Sequence, residues 1–145
     1  TLLAQRKAEA VAARHSGDVI IGADTVVALG NEIFGKPRDR KEAAGMLKAL
    51  SGRTHEVYTG VCIWQAGRAD CFSQAAKVTF AEMDEREIAG YVASGEPDDK
   101  AGAYGIQGLG ARFIAHIEGD YYTVMGLPVQ ALYQALRQKG LLKSL

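Results

Sequence analysis

Proline is scarce in this chain (three residues), cysteine scarcer (two), and tryptophan occurs once. Neither sign of charge is in excess, because seventeen Lys and Arg balance seventeen Asp and Glu. Each shortage excludes something. A chain without net charge has no global field to hold a nucleic-acid polymer, so any phosphate it binds must meet a local cluster of cations. No apolar run approaches a membrane span and no signal-peptide pattern opens the sequence, so a cytoplasmic protein with no membrane partner is expected. Cys62 and Cys71 have no third or fourth ligand nearby, which leaves a zinc site unsupported. With 48% hydrophobic residues in 145, the chain can bury a core without staples, and one domain over 1–145 is expected.

Glycine is abundant, and its densest run is Asp99-Lys100-Ala101-Gly102-Ala103-Tyr104-Gly105-Ile106-Gln107-Gly108-Leu109-Gly110. Ordering glycine is entropically unfavourable, so this density has a local reason. Backbone of this kind turns sharply and approaches a ligand closely, with N–H groups open to anionic oxygens. Lys100 adds a point charge suited to phosphate. A long structural turn is the competing reading, and Lys100 and Gln107 favour a ligand loop.

The rest of the chain alternates helical and strand patterns. Leu2 to Arg14 reads as a helix with Leu3, Lys7, Ala10, Val11 and Arg14 on one side. Asp18-Val19-Ile20-Ile21-Gly22 reads as a short buried strand, and Val26 to Phe34 as a small hairpin turning at Gly30-Asn31. Asp39 and Glu42 form a capping box for a helix with Ala43, Met46, Leu47 and Leu50 inward, stopped by Gly52. A central strand around Val57 to Ile63 is followed by a second, Ala69 to Phe80. A two-residue turn at Ala66-Gly67 sets residues 64/69, 63/70 and 62/71 opposite each other. The thiols are then cross-strand neighbours, but both cysteines are expected to be small core residues rather than a disulfide. Asp84 and Glu87 cap a helix with Ile88, Tyr91 and Val92 inside. Arg112 to Ile117 is a strand. Pro128 opens a last helix with Val129, Leu132, Tyr133 and Leu136 inward and Gly140 beyond its end. An α/β fold is expected, with a mixed, twisted sheet flanked by helices.

Several residues could carry chemistry. Asp24 is expected at the carboxyl end of the first strand, where α/β sheets bind ligands, and can hold a divalent metal or take a proton from water. A turn or capping aspartate is the alternative. Thr25 offers a hydroxyl to a polar ligand edge. Lys36, in Gly35-Lys36-Pro37 ahead of a helix, suits a phosphate, as does Arg53. His55 reads as a core histidine, and His15 and His116 have no metal-ligand spacing. Lys7 is solvated unless its helix faces the pocket. One carboxylate, cations from separate loops and a glycine-rich segment together suit metal-assisted attack of water on a polyphosphate. No P-loop and no dinucleotide-binding glycine motif is present.

These residues resemble the Maf family of nucleoside triphosphate pyrophosphatases, also called septum-formation-inhibitor-like proteins. The matching segments are Ala4 to Ala8, Gly22-Ala23-Asp24-Thr25-Val26-Val27, Gly35-Lys36-Pro37-Arg38, Leu50 to His55, Tyr91 to Gly110, Gly119 to Tyr122 and Gly126-Leu127-Pro128. The resemblance implies two lobes around a nucleotide cleft. It also implies hydrolysis of a nucleoside triphosphate to monophosphate and pyrophosphate with Mg²⁺ or Mn²⁺, clearing unwanted nucleotides. Asp24 matches the family's proton acceptor and metal-binding position, and Lys7, Lys36 and Lys100 match its phosphate-binding and catalytic lysines. Thr25 and Gln107 match positions marking dTTP/UTP preference, as against 7-methyl-GTP. A homodimer is compatible with it. The family's opening strand and Ser-x-Ser-Pro-Arg-Arg loop are not in this sequence, so an N-terminally incomplete domain is expected. A nucleotide-binding module without catalysis is the alternative.

Overall fold

The computed structural model describes residues 1–12 and 18–142. Along them run helix α1 (Leu2–Ala12), strands β1 (Ile20–Leu29) and β2 (Glu32–Phe34), helix α2 (Arg40–Leu50), and the long strands β3 (Thr54–Gln65) and β4 (Arg68–Phe80). Helix α3 (Glu85–Ala93), three short 3-10 turns within 96–113, strand β5 (Ile114–Glu118) and helices α4 (Tyr121–Met125) and α5 (Val129–Gln138) complete it. The strands form one sheet in the order β2-β1-β3-β4-β5, antiparallel at each of these pairings. The expected α/β architecture, a sheet flanked by helices, is the one found, but the described pairings are all antiparallel where a mixed sheet was expected, because the central strands are joined by a tight hairpin.

Strand β3 is central, as its two apolar faces predict. Its turn into β4 has positive φ at both Ala66 and Gly67, which a two-residue hairpin of the favoured twist requires. Trp64↔Ala69, Ile63↔Asp70 and Cys62↔Cys71 are therefore opposed. Direct opposition brings the two sulfurs into bonding reach, and Cys62 and Cys71 are joined as a disulfide. This corrects the expectation of two reduced core cysteines. Cys62 is buried, but Cys71 is exposed.

Helix α1 lands on the sheet by an unexpected face. Ala4 and Ala8 are wholly buried, whereas Leu3 and Val11 are exposed. The cause is close approach. A Cβ on Gly22 would lie 2.2 Å from the Ala4 carbonyl oxygen, and one on Gly60 would lie 2.9 Å from the Thr1 backbone. Glycine in the strands and alanine on the helix let the two backbones touch, which a leucine face would prevent. Arg14, assigned to the same side, lies outside the described residues.

The main core lies between the sheet and helices α2 and α3. Ala43, Met46, Leu47 and Leu50 are buried as their spacing predicts, and meet Ile88, Tyr91 and Val92 with Val57, Val78 and Phe80 of the sheet. Each wholly buried leucine contributes about 2 kcal/mol. At α3 the capping box is complete between Asp84 and Glu87. At α2 only half forms: Asp39 accepts from the Glu42 N–H at 2.7 Å, while the Glu42 carboxylate turns to Arg38. Helix α5 rests on Val61 and Ile63 through Leu132, with Leu136 partly buried. Val129 and Tyr133, expected inward, are exposed because the contact is this narrow.

Strand β1 differs most from its expected form. The apolar run and the following hairpin arm are one strand, since the ladder to β3 continues from Ile20 to Ala28. Asp24, expected at a strand end, therefore sits in mid-strand opposite Gly60. Strand β2 pairs only with Val27 to Leu29, so among the described residues the other edge of β1 has no strand partner at Asp24 and Thr25. Successive strand residues face opposite sides of a sheet. Both can line one hollow because it lies along that edge.

Candidate active site

A cavity of ≈ 310 Å³ opens there, and Lys7, Asp24, Thr25, Lys36, Lys100 and Gln107 all line it. These residues come from α1, β1, the loop after β2 and the glycine-rich segment. Arg53 does not line it. It stands exposed in the turn into β3, where its backbone N–H bonds Leu50 O and its carbonyl accepts from Phe80, which ties it to the far end of the sheet. His116 is on β5, and His15 lies outside the described residues. Among the described residues no group of three or more His, Cys, Asp or Glu is placed to hold a metal.

The α1 side is held by a short ion pair. Lys7 Nζ donates to Asp24 Oδ1 at 2.7 Å and to Ala23 O at 3.2 Å. Lys7 reaches the carboxylate because Gly22 lets α1 lie directly on β1. Thr25 faces a different network, its Oγ1 lying 2.9 Å from Thr59 Oγ1.

The glycine-rich segment holds an anion, but one of its own. The Glu96 carboxylate accepts from the N–H groups of Leu109 and Gly110, each at 2.9 Å, and from the Tyr91 hydroxyl. Tyr91 in turn accepts from the Gly105 N–H at 3.1 Å, and Gly102 N–H bonds Gly35 O. So the N–H groups expected to be open to ligand oxygens are largely taken. The glycines serve this brace. A Cβ on Gly108 would lie 2.2 Å from Glu96 Oε1, and one on Gly110 would lie 2.5 Å from the Tyr91 hydroxyl. Burial pushes the Glu96 carboxyl up, but the bonds from Tyr91, Leu109 and Gly110, with nearby Lys100, outweigh it and hold the group below the usual range. Burial first, then the bond to Glu96, pushes the Tyr91 phenol up.

Lys100 is tied to the same residue. Its Nζ donates to Glu96 O at 2.9 Å and to Asp99 Oδ1 at 3.1 Å, which holds the Asp99 carboxyl below its ordinary range. Asp99 also lines the cavity. Gln107 is exposed, and its side chain has no hydrogen-bond partner among the described residues.

One link joins this loop to the sheet. Tyr104 lines the cavity and its hydroxyl lies 2.6 Å from His55 Nε2 on β3, with Phe80 packed edge-on against both rings. His55 is 1% exposed, and desolvation lowers its pKa to about 4, so the ring is neutral. Its Nδ1 has no partner among the described residues. The ring and the phenol share one hydrogen bond, and the tautomer of His55 sets which of them donates. Glu96, Tyr91, Tyr104 and Asp99 were missed as site residues. The only signal was two acids and two tyrosines beside a glycine-rich run.

Comparison with known proteins identifies the family. Residues 1–139 match the Maf-like protein family. A protein of Bacillus cytotoxicus named dTTP/UTP pyrophosphatase is 52% identical over 136 residues, which span 94% of this chain and 71% of that protein. An Aquifex aeolicus protein of the same name is 51% identical over 140 residues, 97% of this chain and 74% of its own length. By the family match and by identity over most of its length, the chain belongs to the Maf family.

Proposed function

We propose that this chain hydrolyses a nucleoside triphosphate, with dTTP or UTP as substrate, to the monophosphate and pyrophosphate. The observation that supports it is the meeting on a single cavity of two carboxylates and three lysines, brought there by α1, β1, the loop after β2 and the glycine-rich segment. The activity named for relatives about half identical to it supports the substrate class. Asp24 takes the proton of the attacking water as the oxygen bonds the α-phosphorus. The bond from that phosphorus to the bridging oxygen breaks, and pyrophosphate leaves with that oxygen. Lys36 and Lys100 neutralise charge gathering on the phosphate oxygens. Lys7, already paired with Asp24, holds the carboxylate in orientation. Gln107 offers both a donor and an acceptor to a uracil or thymine edge.

The donor set suits a hard divalent cation. Asp24 and Asp99 are two carboxylates on one cavity without a full protein cage, the arrangement in which Mg²⁺ or Mn²⁺ completes its shell with waters and substrate phosphates. Such a cation, held by Asp24 with Asp99 beside it, would supply charge neutralisation and a more acidic water.

Purified protein given UTP or dTTP with Mg²⁺ or Mn²⁺ is expected to release pyrophosphate. Asp24→Asn is expected to lower kcat by about 10³-fold or more, the scale of losing a group that acts only in the transition state. Release by the variant at the parent rate would remove Asp24 from the chemistry.

A further inference from the structure

A chain of hydroxyls runs from the cavity into the core. Thr25 lines the cavity, and its Oγ1 lies 2.9 Å from Thr59 Oγ1. Thr59 Oγ1 lies 2.8 Å from the Thr123 carbonyl oxygen. Thr59 and Thr123 are both wholly buried. The Thr123 end is fixed, because the Asp120 carboxylate accepts from the Thr123 N–H at 2.9 Å and from its hydroxyl at 2.7 Å.

Proton counting decides the direction of this chain. A hydroxyl carries one proton and a carbonyl oxygen can only accept. Thr59 must donate to Thr123, so the proton in the Thr25–Thr59 bond comes from Thr25. Thr25 then has lone pairs alone to offer a ligand. We propose that Thr59 is a positioning residue for base selection: it takes the Thr25 proton and so leaves Thr25 an acceptor at the cavity wall. An acceptor suits the N3–H of uracil or thymine and opposes the N3 lone pair of cytosine. This rests on the substrate class proposed above and deepens it. Nothing in the sequence distinguishes Thr59 from the other strand threonines; its register opposite Thr25 and its contact with Thr123 do.

The test compares binding of the non-hydrolysable α,β-imido analogues of UTP and CTP by calorimetric titration. The parent protein is expected to prefer the UTP analogue. Thr59→Val preserves the shape of the side chain but frees the Thr25 proton, and is expected to shrink that preference by about tenfold. Thr59→Ser, which restores the hydroxyl, is expected to recover it, whereas a purely structural role for Thr59 would weaken both analogues alike. On the unaltered protein, an N3-methyl UTP analogue is expected to bind about tenfold more weakly than its parent, a result independent of any variant's folding. Equal binding or no binding of the UTP and CTP analogues by the parent, an unchanged preference in Thr59→Val, no recovery in Thr59→Ser, or full-strength binding of the N3-methyl compound would overturn the proposal. Titration requires no turnover, so it can fail or succeed separately from pyrophosphate release.

Discussion

The strand wall of the cavity, with Asp24 and Thr25, and the loop wall, with Lys100 and Gln107, reach the same hollow by different means. Strand β1 is placed by an unbroken ladder to β3 and by α1 pressed onto Gly22 and Gly60. The loop has no ladder. A half-buried carboxylate, Glu96, ties its amides together, and His55 ties Tyr104 to the sheet. The strand wall should therefore yield only when the fold yields, while the loop wall can loosen alone.

The largest effect is expected from Gly22→Ala. The added methyl would lie 2.2 Å from a backbone oxygen that has nowhere to go, so unfolding free energy is expected to fall by about 3 kcal/mol or more in urea titration. Pyrophosphate release should fall with it as Lys7 leaves Asp24. A loss below about 0.5 kcal/mol would show that α1 does not depend on this contact.

Acid should act at the link between the walls. His55 has a folded pKa of about 4 against an ordinary 6.5. Between those values the unfolded chain binds a proton that the folded one refuses, so stability falls as pH drops from 6.5 to 4 and this contribution then levels off. The shift corresponds to about 3 kcal/mol. Urea unfolding at pH 7 and pH 4 should show that slope, and His55→Gln should flatten it.

The disulfide belongs to the strand wall, with Cys62 Sγ lying 3.4 Å from the carbonyl oxygen of Thr1 beside α1. Reduction is expected to lower global stability by about 2 kcal/mol. Amide exchange at Leu109 and Gly110 should not change under native conditions if the loop is braced independently. Faster exchange there on reduction would erase the contrast between the walls.

The smallest and most local effect is expected from Glu96→Gln. The carboxamide cannot supply the same set of acceptors, so exchange at Leu109 and Gly110 should quicken by about tenfold while the unfolding midpoint moves little. KM for UTP should rise more than kcat falls, because the loop positions lysine and glutamine rather than the attacking water. Equal losses in both constants would place Glu96 in the chemistry instead.

Much of the fold was legible in residues that act locally. Asp84 and Glu87 announce α3, the spacing of Met46, Leu47 and Leu50 announces the inner face of α2, and Ala66-Gly67 sets the register that opposes Cys62 and Cys71. The site was legible as a set of types, one acid with several lysines. Its geometry was not. Leucine at position 3 looks more buried than alanine at position 4 until two glycines, 18 and 56 residues away, remove the space. Glycines 105, 108 and 110 look like a cradle for a ligand until Glu96 occupies it.

What the order of residues determined by itself was short-range: caps, turns, helical periods and the strand alternation, all set by dihedral preference and hydrogen bonds within a few positions. What only the tertiary structure decided was which partners those elements meet. Asp24 gained its lysine, Thr25 its hydrogen-bond direction and the glycine loop its internal anion from residues distant in the chain. The physical reason is that close approach and proton count depend on what stands opposite, and sequence spacing does not specify that.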